Sequence, residues 1–415
     1  MHKTFLIFSL AIAVLAIRVL TFWTNVKPYP EGATVAFQAR VDNEPTIAAS
    51  GQKITLLMPN SQKVSVTFAP TPTISYGDLV KVEGEVKYFT SDTGSKIAYM
   101  TKPRFEIAES NDNNVISSIR KNIISFYSSS LNNTDSSLML GIVFGIKSQM
   151  PQKFNNNLQK TGLLHVIAAS GMNITMAAGF FISIFGLFFR RQLALFLSIL
   201  GIFGYTMLAG FQPSIVRAAV MGIMVFASQI LGRQSNAGFG LAAAAFIMLF
   251  INPSLLGDIG FQLSFLATLG LVYLSPIFYT GKKLAQLIDR SFIGGDLVTT
   301  ITAQIITLPI LVINFGSYSP VSILVNGLVL WTVPILMFFG GLGAIGGMLF
   351  APLGHVLTYL VVPILAYFEA VVNAFGSRIT PLSLTQVPLG LVGGYYLCLV
   401  SIILWARKKA KFHQV

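Results

Sequence analysis

Three patterns of apolar and polar residues follow one another along the chain. Residues 5–23 form an unbroken apolar run behind Lys3. A bilayer core takes roughly 20 apolar residues as a helix, and no small-x-small cleavage pattern precedes Trp23, so the run predicts an uncleaved signal anchor. Arg18, near its far end, can keep its charge at the surface by extending its aliphatic stem. Residues 30–109 switch to period-two alternation. That period predicts strands over Val35–Val41, Lys53–Met58, Lys63–Phe68, Asp78–Phe89 and Lys96–Ile107, separated by Pro, Gly, Asn and Ser turns. Five such strands suit a small antiparallel barrel of the oligonucleotide/oligosaccharide-binding (OB) type.

From Val115 the pattern becomes helical. Val115–Leu131 mixes apolar and polar residues and predicts a helix along the membrane surface. Leu138–Ile146 and Leu158–Asn173 are too short or too polar for ordinary spans. A re-entrant or broken element is expected there, with Gly162 and Gly171 around His165 pointing to an internal pathway. Clear spans follow at about 166–189, 193–210, 214–231, 237–252, 257–276, 297–314, 319–338, 355–376 and 386–406, and with the anchor they make ten. The Gly-rich residues 339–354 are left as a re-entrant or close-packed segment. The fold class expected is an α-helical polytopic membrane protein of about ten transmembrane helices plus re-entrant and interfacial helices, with a small all-β OB-like domain. It divides into 1–26 (signal-anchor helix), 27–110 (β domain), 111–165 (interfacial and re-entrant helices) and 166–415 (transmembrane domain).

Composition agrees. Hydrophobic residues make up 53% of the chain and charged residues 10%, with mean hydropathy +0.70, which excludes an ordinary soluble domain. The net charge of +13 belongs to the membrane part, because residues 27–110 hold nine Lys/Arg and nine Asp/Glu. Alternate loops carry Arg190-Arg191, Arg233, Lys282-Lys283 with Arg290, and Arg407-Lys408-Lys409 with Lys411, against Arg378 opposite. The positive-inside rule then leaves both termini cytoplasmic and the β domain extracytoplasmic. Part of the charge serves contact with anionic membrane lipids.

Catalytic chemistry has little to build on. His2, His165, His355 and His413 are scattered and Cys398 is the single cysteine, so no metal site, cofactor or internal disulfide is expected. Gly141–Ser148 resembles a phosphate-binding loop, but three residues separate its glycines and Ile146 splits Gly145 from Lys147. His165 and Ser170 are five apart, off helix-face spacing, and no acid stands nearby to orient the histidine. An enzyme is not expected.

Polar residues inside the membrane part concentrate in three strings: His165–Asn173 with Ser170, Gln212–Ala219 with Arg217, and Asp258–Phe265 with Gln262. The spans opened by the last two run in the same direction, so Arg217 and Asp258 enter at similar depth, and pairing them would resolve the cost of a buried guanidinium. Gln304, Asn314 and Asn326 are expected as interhelical hydrogen bonders. In the β domain, strand parity puts Lys81, Glu83, Glu85, Lys87 and Phe89 on one face, making Phe89 beside Lys81 and Lys87, with Lys63, a candidate base-stacking platform.

The strings Leu163–Ile174 (LLHVIAASGMNI), Pro213–Gly222 (PSIVRAAVMG) and Asp258–Leu271 (DIGFQLSFLATLGL), in this order and spacing, resemble the signature segments of the ComEC-type competence family. Tyr76–Val86 (YGDLVKVEGEV) is similar to that family's extracytoplasmic barrel. The resemblance implies an inner-membrane channel for single-stranded DNA in natural transformation, with residues 166–415 as the channel domain and a separate DNA receptor, nuclease and cytoplasmic motor as partners. On that footing His165, Ser170, Asn173, Gln212, Arg217, Asp258 and Gln262 line the path, and Lys63, Lys81, Lys87 and Phe89 contact single strands. The chain departs from the family in having Asn173 where a second histidine is common. It is also expected to be a short form, without the C-terminal metallo-β-lactamase-like domain. Neutral amides, hydroxyls and few fixed cations suit a permeating polyanion, since they replace water without trapping it. The alternatives are a secondary transporter of a small anionic or sugar-like solute, whose expected internal repeat is not evident, and a membrane scaffold with an external binding domain.

Overall fold

The computed structural model describes residues 2–41, 45–48, 51–60, 62–69, 71–72, 74–90, 96–109, 115–146, 150–167, 171–279, 286, 294–383 and 387–412. The apolar run at the start is helix α1 (His2–Asn25). Period-two alternation then yields β1 (Thr34–Arg40), β2 (Thr46–Ala48), β3 (Gly51–Leu57), β4 (Lys63–Phe68), β5 (Leu79–Glu85), β6 (Lys87–Thr90), β7 (Lys96–Thr101) and β8 (Arg104–Glu109). Inward-facing Val64, Val66, Phe68, Val80 and Val86 are wholly buried, each contributing about 1.5–3 kcal/mol of apolar transfer as an upper estimate.

The strands form two sheets, β1-β5-β8 and β2-β3-β4-β7-β6. The expected strand Asp78–Phe89 is one run of chain divided between them: it bends at Val86, whose N–H donates to the Ala33 carbonyl at 3.0 Å. Lys96–Ile107 likewise divides at Lys102, which has φ +49°. One pairing departs from the antiparallel expectation, since β4 and β7 run parallel. The β5–β6 excursion returns the chain to β4's side in the same direction.

The helical part comprises α2 (Val115–Ser130), α3 (Asn133–Phe144), α4 (Gln152–Thr161), α5 (Leu164–Ile167), α6 (Gly171–Phe188), α7 (Arg191–Leu208), α8 (Pro213–Ile230), α9 (Ala237–Ile251), a 3-10 turn (Pro253–Gly257), α10 (Ile259–Tyr273), α11 (Ser275–Phe278), α12 (Gly294–Phe315), α13 (Ser322–Val329), α14 (Thr332–Leu349), α15 (Ala351–Tyr359), α16 (Val362–Gly376) and α17 (Leu389–Phe412). A two-residue ribbon pairs β9 (Ser317–Tyr318) with β10 (Leu382–Ser383). Among the described residues six helices are long and apolar enough to cross a membrane, or seven if α15 and α16, bent by 42°, form one span. Ser9–Asn25, Ala237–Ile251 and Gly390–Ala406 are apolar but shorter. The count is therefore lower than the ten expected from apolar runs.

The largest boundary difference lies at 319–354. The span expected at 319–338 is broken into α13 and the start of α14, and the glycine-rich stretch set aside as re-entrant continues α14 to Leu349. Its glycines permit close approach instead of breaking the helix. A Cβ on Gly354 would lie 2.4 Å from the Gly347 backbone, and one on Gly340 would lie 2.3 Å from the Met139 side chain. Helix α2, expected on the surface, buries Ser117, Arg120, Ile123 and Tyr127 against the bundle. In α12, Pro309 lacks an N–H for the Ile305 carbonyl four residues earlier, and the Tyr395 hydroxyl of α17 donates to that carbonyl at 2.7 Å.

Among the described residues, two contacts of the β domain with the helices bear on the site. The Arg120 guanidinium stacks 4.1 Å from the Tyr76 ring and donates to the Leu208 carbonyl, while Gly210, at φ +81°, leaves room for that ring. At the second place Lys63 of β4 is ion-paired with Asp258, immediately before α10.

Candidate functional site

Two of the three polar strings meet at the buried end of α3, and the third joins the second through Arg217 and Ser264. Residues Asp135–Phe144 are all buried, so the orphan carbonyls of this helix's last turn cannot reach water. The chain itself satisfies two of them: Gly145, in the left-handed conformation at φ 66°, donates to Gly141, and Ile146 donates to Leu140. The rest is supplied from afar. Asn173 of α6, wholly buried, donates to the Ile142 carbonyl at 2.7 Å, Tyr205 of α7 to Val143 at 2.6 Å, and Gln212 before α8 to Gly145 at 3.1 Å. Inside a bilayer each unsatisfied carbonyl costs several kcal/mol, so these three donors hold α3 in place. Asn173 and Gln212, expected as lining groups, are engaged as caps.

His165 lies on the short α5, its Nδ1–H donating to the Gly162 carbonyl at 2.9 Å, which leaves Nε2 as the acceptor nitrogen. Gly162 caps α4 at φ +74° with Ser322 packed where its Cβ would stand. Ser170 lies outside the described residues. The broken element expected here likewise falls on residues 168–170, outside the described ones, α5 being described to Ile167 and α6 from Gly171.

Arg217 packs against the start of α6. The residue is 7% exposed, and Nη1 donates to the Ser264 carbonyl of α10. A Cβ on Gly171 would lie 2.7 Å from Nη2, so glycine there makes space for the guanidinium. The Phe265 ring lies 5.9 Å away and Nε has no hydrogen-bond partner. The expected Arg217–Asp258 pair is not formed. Asp258 is the N-cap of α10, accepting the Phe261 N–H at 2.9 Å, and its other oxygen is turned to Lys63. Ser264 lies six residues further, about 9 Å along the axis, which separates the two charges. A carbonyl and a ring face solvate a guanidinium but do not neutralise it. Among the described residues no carboxylate is ion-paired with Arg217, whose positive charge stands beside Gly171 at the start of α6. Gln262 donates to the Leu256 carbonyl at 2.8 Å, closing the 3-10 turn.

Cross-strand register separates the charges of the β domain. The outer face of the five-stranded sheet carries Lys53, Thr55 and Leu57 on β3, Lys63, Ser65 and Thr67 on β4, Ile97, Tyr99 and Thr101 on β7, and Lys87 and Phe89 on β6. Among the described residues no acid stands in these positions. Lys81 and Glu83 lie instead on β5 in the other sheet, opposite Glu106 and Arg104 respectively. Lys81 therefore does not join Lys63, Lys87 and Phe89, because the bend at Val86 intervenes. Lys87 touches Glu85 at 3.4 Å at the corner. Phe89 is 59% exposed and faces Ile97, 48% exposed.

Sequence reasoning missed Lys53, Tyr99, Arg120 and Tyr205. Lys53 and Tyr99 carry the right parity, but parity assigns a shared face only once the pairing is known. Arg120 stands on the stripe Ser117, Arg120, Ile123, Tyr127, and a cation inside a buried stripe was the signal available for it. Of the three amides expected between helices, Gln304 donates to Ser322 at 2.7 Å, whereas Asn314 bonds within its own helix to Ile310 and Asn326 is buried with Oδ1 unpartnered. No group of three or more His, Cys, Asp or Glu able to hold a metal occurs among the described residues.

Residues 142–409 match the Competence protein family. Over 233 residues the chain is 30% identical to ComE operon protein 3 of Bacillus subtilis (strain 168), which covers 56% of this chain and 29% of that protein. The chain thus spans less than a third of the length of this relative. No solved structure matches it. The match takes in α6–α16 whole, with Asn173, Arg217 and Asp258 inside it, and on that extent the chain belongs to the competence protein family.

Proposed function

We propose that the chain conducts single-stranded DNA across the cytoplasmic membrane during natural transformation, with the β domain collecting the strand on the outer side. The observation that carries this reading is the Lys63–Asp258 contact, which sets an acid-free sheet face, bearing Lys53, Lys63, Lys87, Phe89 and Tyr99, against the start of α10. Lysines that track phosphates and aromatics that stack bases are the two parts of a sequence-tolerant single-strand site. The strand order supports an OB-type barrel: β1 leads to β2, β5 leads to β6, β1 pairs with β5, and the β4–β7 pair is parallel. In such barrels the second and third strands form the usual binding face, and here those positions fall to β3 and β4.

Past the β domain, Arg217 offers a fixed cation with a buried, unpartnered Nε–H beside Gly171 of α6. A few such donors attract phosphate without trapping it. The basic loops support cytoplasmic termini and an extracytoplasmic β domain. In this reading the chain does no hydrolysis, and a separate receptor, nuclease and motor act with it. Uptake of labelled DNA is the test. A deletion strain should lose internalisation, wild type should restore it, and Arg217→Gln should not, while reaching the membrane at normal levels. Undiminished uptake in the deletion strain would move the assignment to a small-solute transporter, and chelator-sensitive DNA degradation by the purified protein would make it an enzyme.

A further inference from the structure

We infer that Asp258 is an internal stand-in for phosphate: its carboxylate occupies the Lys63 ammonium in the absence of DNA, and a polyanion arriving on the five-stranded face displaces it and unlatches β4 from α10. This inference rests on the reading of that face as a single-strand contact. Three observations carry it. The carboxylate is divided between two tasks, Oδ1 accepting the Phe261 N–H of α10 and Oδ2 meeting Lys63. Only the first serves the helix. Lys63 opens β4, the central strand of the sheet, across from Leu57 on β3, and shares its surface with Lys53 and Lys87, so the acid meets a lysine of the face that a phosphate backbone would track. The lysine of the pair is also open to exchange, its side chain being 59% exposed against 15% for that of Asp258.

The energetics favour displacement. An ion pair whose ammonium is mostly in water is weak, whereas a strand that engages several lysines gains from each, with release of condensed counterions. The second support, Tyr76 between Arg120 and Gly210, does not involve Lys63 or Asp258, so the domain remains attached when the latch opens. Asp258 in this scheme is a positioning residue. It lowers resting affinity for stray anions and ties occupancy of the sheet to the state of α10, the helix that also receives Arg217 at Ser264.

The test uses the full chain in nanodiscs and a fluorescent oligothymidylate as probe. D258N removes the charge and keeps the N-cap, since Asn caps as well as Asp. It should tighten binding, by roughly fivefold at low salt if the pair has the strength of a good surface ion pair. K63Q should weaken binding, and K63Q/D258N should bind no better than K63Q alone. Unchanged or weaker binding by D258N overturns the latch, and so does a D258N gain that persists without Lys63, which would be a general charge effect. K53Q and K87Q separate the two levels. If both weaken binding while D258N changes nothing, the latch fails and the face stands. If neither changes binding, the face itself is misassigned and the latch falls with it.

Discussion

Asn173 shows how one side chain can matter without touching a substrate. Its amide satisfies the Ile142 carbonyl at the buried end of α3, and removing a partner from a buried acceptor costs about 1–3 kcal/mol. Asn173→Ala should therefore lower the thermal stability of the purified protein by that order, and unfolding in detergent with wild-type midpoint would show that α3 is held by other means. Arg217 and Asp258 give a second expectation at this scale. Since Arg217 bonds Ser264 and Asp258 bonds Lys63, the stability effects of Arg217→Ala and Asp258→Asn should add within about 0.5 kcal/mol. A double mutant markedly better than the sum would revive direct pairing. Both charges were legible in the chain as costly groups, though not their separation along α10. What could not be read was the cheaper partner each finds, a carbonyl on α10 and a lysine 195 residues away, because a buried charge is satisfied by whatever the fold brings near.

At the scale of elements, α14 carries the main lesson. A glycine-rich stretch reads as a break when each glycine is scored for its own helix propensity, a loss of about 1 kcal/mol against Ala. Helix–helix approach repays that loss where no Cβ fits. Gly354→Ala drives a methyl to 2.4 Å from the Gly347 backbone and should destabilise by about 1–3 kcal/mol or more through overpacking. Gly341→Ala, with nothing within 4 Å of its Cβ, should be neutral or stabilising by up to about 1 kcal/mol. Thermal melts of the two variants decide the matter, and equal losses would mean that the glycines act by flexibility and not by contact. The first helix, the alternating strands and most of the long apolar helices were legible because period and apolarity act within one segment; the continuation of α14 to Leu349 was not, because its glycines answer to α2, α3 and α15.

For the whole molecule, the zero net charge of residues 27–110 hid a division that only the pairing of strands displays. Phe89→Ala should weaken oligothymidylate binding by the full-length protein by about 1–3 kcal/mol, with Lys81→Gln nearly silent because Lys81 lies on the other sheet. If Lys81→Gln costs as much as Phe89→Ala, the strand follows the β1-β5-β8 face instead. Orientation is checked with single cysteines in a Cys398→Ser background. A cysteine at the exposed Gln38 should react with an impermeant maleimide in intact cells, and one at the exposed Gln234, between α8 and α9, only after the inner membrane is opened. The reverse pattern would turn the molecule over.

The sequence by itself determined the membrane class, the β domain, the order of elements and the three strings through which the family is recognised, because apolar period, charge asymmetry and motif spacing are properties of neighbouring residues. Tertiary structure alone decided that Asn173 and Gln212 cap a buried helix end, that Arg217 and Asp258 part company, and that Lys53, Lys63 and Lys87 share a face from which Lys81 is excluded. Each of these depends on pairing register or on a contact across tens to hundreds of residues, where the cost of burying a polar group selects the partner and no local pattern records the choice.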